Sequence, residues 1–267
     1  VDLLALSKLP VEGVTGFNRR QFLKLGADLA ILYALSRAAR AFGIIDSSKF
    51  VWAQIIYNGR WNTRPTGGRG ILLEVAKRTS VDVSLEPKGI SLTDPKLRDY
   101  PFLCISGDKE IPSFSKQESL ALRAYLTSGG MLFADDTKGE ANGAFSKKLK
   151  KALSPVFPEK EWKRLPQDHS VFRSFYLLDR FVGRTASMPY LEGLDHEDRT
   201  PVILSGNDLL GAWARDEFGT YEHRAAPGGE AQREMAIRMG INVVLYALTV
   251  NYKKDQVHQP FILQRKR

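Results

Sequence analysis

Apolar positions along this chain fall into short continuous runs separated by stretches of helical periodicity. Residues 50–57, Phe-Val-Trp-Ala-Gln-Ile-Ile-Tyr, are rich in β-branched and aromatic side chains and predict a buried strand. A Gly/Pro/Arg loop is predicted over 58–70, a short helix over 71–78 and a second strand over 81–85. The apolar run 102–106 predicts a third strand, stopped by Gly107. Ser115 and Glu118 have the spacing of a capping box. The helix they open carries Leu122, Tyr125 and Leu126 on one face and closes at Gly129-Gly130. Residues 131–134 form the next predicted strand and run straight into Asp135-Asp136. A later strand at 201–204 ends in Ser205-Gly206-Asn207-Asp208. The span 231–250 reads as a long helix, apolar nearly all round from 241 to 248, so its end must be buried. Apolar strands separated by helices predict a three-layer, flavodoxin-like α/β fold: a mostly parallel sheet with helices on both faces.

The first forty residues differ in character. Asn18-Arg19-Arg20-Gln21-Phe22-Leu23-Lys24 precedes a modestly apolar stretch over 25–35, and Ala39 and Ala41 give an A-x-A pattern. This is similar to a twin-arginine export signal, which would occupy residues 1–41. The apolar stretch contains Asp28 and is too short to span a bilayer. Export implies the twin-arginine translocation machinery as a partner and a periplasmic or otherwise exported location. The alternative is an amphipathic first helix that packs Leu25, Leu29 and Leu32 on the core. Residues 42–267 have no convincing linker or repeat and are expected to form one domain.

Composition narrows the function classes. Hydrophobic residues make up 43% of the 267-residue chain, which excludes a disordered chain, and the single cysteine excludes an intramolecular disulfide framework. No stretch reaches the roughly 20 apolar residues of a membrane helix. The formal charge is +9, but residues 1–41 hold six basic and three acidic side chains, leaving +6 for the rest. The cluster Lys147, Lys148, Lys150 and Lys151 shares a helical segment with Phe145, Leu149 and Leu153 and reads as a solvated face. No aromatics interleave with it, so nucleic acid is not an expected partner. Histidine and cysteine spacing supports no zinc site, and no motif identifies a cofactor.

Ligands of open parallel sheets bind beyond the carboxyl ends of the strands. That rule selects Asn58, Gly59, Arg60 and Trp61, then Gly107 and Asp108, Asp135 and Asp136, and the 206–208 segment. Alternation along the strand sends one of the two consecutive acids toward the crevice and leaves the other to cap the next segment. Close together, they could share a raised pKa or hold a hard cation; as turn residues they would do neither. The segment 66–70, Thr-Gly-Gly-Arg-Gly, is either a flexible loop or a source of N–H donors for an anion. Cys104 sits inside a strand run and reads as a buried small hydrophobe. His169 is flanked by Asp168 and an aromatic-rich segment.

Five segments occur in order: Tyr57-Asn-Gly-Arg-Trp61; Tyr100 to Gly107; Leu122 to Leu126 with Gly129 to Asp136; Asp168-His169; and Gly240 to Leu248. Together they resemble the bacterial domain-of-unknown-function family numbered 4159. That family is similar to class I glutamine amidotransferase-like domains, which implies a flavodoxin-like sheet. In an amidotransferase, a nucleophilic cysteine stands on the elbow after the strand matching 131–134; here that place holds Asp135-Asp136. Glutamine hydrolysis through a thiolate is therefore not expected. The resemblance carries a later histidine onto Asp168-His169. Two functions follow as expectations. One is an exported non-catalytic domain binding a polar ligand, such as a carbohydrate, or a cell-envelope protein, through Asn58, Arg60, Trp61, Gly107, Asp108 and Asp168. The other is an exported hydrolase using Asp135 or Asp136 with His169, metal-assisted or not, in one shared pocket.

Overall fold

A computed structural model describes residues 49–109 and 111–264, with side chains as far as residue 249. The signal predicted over 1–41 lies outside the described residues. Seven strands form one sheet: β1 Ala53–Ile55, β2 Lys88–Ile90, β3 Phe102–Gly107, β4 Met131–Asp136, β5 Lys163–Arg164, β6 Glu192–His196 and β7 Arg199–Ser205. Their order is β2-β1-β3-β4-β7-β6-β5. The first five in that order pair in parallel, while β6 and β5 extend the sheet antiparallel. The parallel part has the order of flavodoxin-like doubly wound sheets.

Helices α1 Gly67–Arg78, α4 Leu209–Trp213 and α5 Gly229–Gln264 cover one face; α2 Lys116–Thr127 and α3 Ala144–Leu153 cover the other. Alternation divides the strand residues between the two cores. Phe102, Cys104, Met131, Phe133 and Ile203 pack with Ile71, Trp213 and Val244. Leu103, Ile105, Leu132, Ala134, Val202 and Leu204 pack with Leu122, Phe145 and Leu149. Both faces are covered, so the strands are continuous apolar runs rather than half-polar ones. The predicted capping box is formed: the Ser115 hydroxyl accepts from Glu118 N–H, and Glu118 accepts from Ser115 N–H.

Three local readings need correction. The run 81–85 contributes only an isolated bridge, Val83 to Phe50, and β2 lies further on at Lys88–Ile90. The stretch 66–70 is not a flexible loop: α1 begins at Gly67. Its glycines admit close neighbours. A Cβ on Gly70 would sit 2.0 Å from the Trp213 carbonyl oxygen, and one on Gly67 would sit 2.7 Å from that of Leu210. Helix propensity is overruled by the approach of α1 to α4. Finally, β5, β6 and α4 had no counterpart in the predicted elements. β5 has two residues and α4 five, too few for periodicity to register.

Candidate ligand-binding edge of the sheet

The chain leaves β1 toward β2 on one side and returns to β3 on the other, so strand order reverses between β1 and β3. Ligand crevices of doubly wound sheets lie at this point, beyond the carboxyl ends. Around it a polar network is built from the strand ends. Gln54 on β1 is buried; its amide donates to Ser106 Oγ at 3.1 Å and to the Trp61 carbonyl at 3.3 Å. The Tyr57 hydroxyl donates to the Ser106 carbonyl at 2.9 Å. Burial pushes the Tyr57 phenol up, with Asp108 adding to the shift. Gly107 makes room for this ring, since a Cβ there would lie 2.5 Å from the Tyr57 hydroxyl and 2.6 Å from Phe145. Arg60 pairs with Asp108 at 2.9 Å on the outer surface, and Asn58 is exposed beside it. Thus Arg60, Trp61, Gly107 and Asp108 meet at one edge.

Asp135 and Asp136 are the last two residues of β4 and are fully buried. Pleating separates them. Asp136 faces α3, where Oδ2 accepts from the Ser146 hydroxyl at 2.7 Å and from Ser146 N–H at 3.1 Å, while Oδ1 accepts from Lys138 N–H at 3.1 Å. Burial raises its pKa, and these bonds oppose the rise. Asp135 faces α4, where Oδ2 accepts from Leu210 N–H at 2.8 Å. Its other oxygen has no well-formed hydrogen bond. Desolvation, then the Asp208 carboxylate, pushes the Asp135 carboxyl up to about 7.

Asp208 organises the wall behind Asp135. Its backbone is in the left-handed region at φ 53°, and its side chain caps α4 by accepting from Gly211 N–H at 2.9 Å. Arg64 donates to both of its oxygens, at 3.1 and 2.7 Å, and Arg184 Nε also donates to Oδ2. Two guanidinium groups thus face one fully buried carboxylate. Asp208 Oδ2 and the Thr137 carbonyl share the Arg64 Nη2 group, which ties the loop after β1 to the ends of β4 and β7. The N-cap role of Asp208 was missed with α4 itself, whose five residues carry no helical period. Arg184 carried no signal, because only the folded chain brings residue 184 to residue 208.

His169 does not join the acids. It sits before the 3-10 turn Ser170–Arg173, where Nδ1 accepts from Val171 N–H at 3.2 Å. The ring proton is therefore on Nε2, 3.0 Å from Thr200 Oγ1, and Thr200 in turn donates to Asp195 Oδ1 at 2.6 Å. Thr200 is near the start of β7, whereas Ser205 at its far end is the register partner of Asp135. Five residues of extended chain place them roughly 16 Å apart. The expected shared pocket of Asp135 or Asp136 with His169 is therefore corrected: the two groups occupy opposite edges of the sheet. Asp168, exposed next to His169, likewise lies away from Arg60, Trp61 and Asp108. Cys104 is 0% exposed inside β3, and burial pushes its thiol well up, as expected of a packing residue rather than a nucleophile. Among the described residues, no group of three or more His, Cys, Asp or Glu could hold a metal ion. Among them, no helix is long and apolar enough to cross a membrane.

The sheet edge, its loops and the apolar part of α5 fall within residues 51–248, the span matched by the family model described as Domain of unknown function (DUF4159). The chain belongs to this family. No curated protein matches the sequence. The family match reaches from the residues just before β1 to the last buried turns of α5, so the polar network, the acid pair and the Arg64–Asp208 cluster all belong to the family domain.

Proposed function

We propose that the protein is an exported binding domain, amidotransferase-like in plan, whose carboxyl edge holds a polar ligand or a cell-envelope partner without transforming it. The observation that carries this reading is the commitment of both acids at the end of β4, which runs on through Asp136 instead of stopping at Ala134, so the pair stands in the strand and not on an elbow after it. Asp136 is held by the Ser146 amide and hydroxyl in the first turn of α3 and by the Lys138 amide in the turn after β4, and Asp135 by the first turn of α4. The groups nearest Asp135 are not poised for chemistry: Asp208 is taken up by Arg64 and Arg184, and the Cys104 thiol, which Asp135 helps to raise, is fully buried inside β3. A hydrolase built on either acid with His169 would need groups on opposite edges to meet, so geometry favours the binding reading. Export is supported by the paired arginines at 19 and 20 with Phe22, Leu23 and Lys24 and by the small residues at 39 and 41. It makes the twin-arginine machinery a partner and the periplasm the working compartment.

Two measurements test this. The full-length protein incubated with a panel of glycosides and esters should give no turnover, with or without divalent metal. Turnover that disappears in Asp136→Asn would overturn the binding reading. For export, cell fractionation of the Arg19→Lys/Arg20→Lys variant should find the protein in the cytoplasm. An unchanged periplasmic yield would refute that part.

A further inference from the structure

We infer that the ligand site is the cleft on the β2 side of β1, and that it takes a saccharide ring. The inference rests on the binding reading above and adds a place and a ligand class to it. The cleft encloses about 270 Å³ between the loop after β1, the first turn of α1 and the start of β2. It is open to solvent on one side and has room for a single-ring ligand. It opens beside the point where strand order reverses, and Arg60 and Asp108 do not line it. Of the ligand residues expected from sequence, it includes only Trp61.

Its chemistry is mixed in a particular way. Trp61 provides a half-buried indole. Gly89 lies beside the indole edge: a Cβ at that position would lie 3.8 Å from the Trp61 ring, in van der Waals contact, and 2.7 Å from Ile56, so a side chain there would crowd this wall. The same cleft is lined by Asn62, Lys88 and an ion pair in which Arg69 Nη1 lies 2.6 Å from Glu86 Oε1. Both members of that pair are well exposed, so their remaining donor and acceptor positions face solvent and are open to a ligand. Gln54 fixes the wall from behind by bonding the Trp61 carbonyl. An apolar ligand would leave this polar rim desolvated and unpaired. A compact inorganic ion would make no use of the indole. A sugar ring matches both, with a C–H face for the indole and hydroxyls that donate to a carboxylate and accept from a guanidinium, ammonium or amide.

The experiment uses the full-length protein with D-glucose, N-acetyl-D-glucosamine, D-glucuronic acid and cellobiose as separate probes. Binding is read by saturation-transfer NMR and by tryptophan fluorescence. At least one probe should bind saturably, and Trp61→Ala should weaken it about tenfold or more, the loss of one buried aromatic contact. Glu86→Gln lies on the surface, leaves folding intact and should weaken the same probe several-fold. Failure of all four probes to bind overturns the saccharide inference. Binding unchanged by both substitutions overturns the cleft. Chemical conversion of a bound probe, seen in the same samples, would instead sink the non-catalytic reading while leaving the cleft in place.

Discussion

Replacing Asp135 by Asn should stabilise the protein in alkaline solution and leave it nearly unchanged in mild acid. Asp135 is wholly buried, faces a second buried carboxylate and has one oxygen without a well-formed hydrogen bond. Its carboxyl therefore rises from the ordinary 3.8 to about 7. The sign follows from proton linkage. Between those two values the folded chain holds a proton that the unfolded chain has released, so stability falls as pH rises through the window and is flat above it. A shift of about three pH units, at about 1.36 kcal/mol each, sets a ceiling of about 4 kcal/mol on the penalty. Asn keeps the acceptor for Leu210 N–H but places a buried NH₂ beside Ser205, and an imperfectly satisfied amide costs about 1–3 kcal/mol. A net gain of about 2 kcal/mol at pH 8 remains, with a difference within about 1 kcal/mol at pH 5. Urea denaturation of both proteins, followed by circular dichroism at the two pH values, measures it. Taking the difference between variant and parent cancels the same-signed contribution of Asp136. Equal destabilisation at both pH values would show that Asp135 is ionised and well solvated in the fold, and the electrostatic reasoning would fail.

Two other outcomes are expected. Asp208→Ala should cost about 3–5 kcal/mol in urea denaturation, because it leaves Arg64 and Arg184 facing a buried site without their carboxylate. It should also bring the Asp135 carboxyl down by removing the like charge, so stability should depend less on pH; a loss under 1 kcal/mol would contradict the cluster's role. For His169, burial lowers the pKa below 6.5 against the opposing pull of Asp195 and Asp168. The neutral ring is thus favoured by folding, its contribution is complete above pH 6.5, and it is lost as pH falls through the folded value. The Val171 amide should then lose hydrogen-exchange protection on acidification, and His169→Gln should abolish that pH dependence; unchanged protection would contradict the proposed Nδ1 acceptor.

Much of the architecture was written locally. Apolar runs of strand length at 102–106 and 131–134, a Ser115/Glu118 capping box and an all-round apolar helical segment at 241–248 each specify their own element through neighbours a few residues away, although the helix expected over 231–250 runs on to Gln264. The positions of Asp135 and Asp136 at a strand end, facing opposite sides, also follow from strand alternation alone. What each acid meets does not. Asp135 meets α4, some 75 residues further along, and Asp208 is joined by Arg64 and Arg184 from segments with no periodic pattern. The glycines at 67, 68 and 70 looked like a loop because their reason is the backbone of α4 and the ring of Trp52, both distant in sequence. His169 reads as a plausible partner for the acids until the strand order places them at opposite ends of β7. Local spacing fixes which groups stand at strand ends and helix caps, since those depend on backbone geometry over a few residues. Which of them share a site depends on strand order and helix approach, and those are settled by packing the two cores.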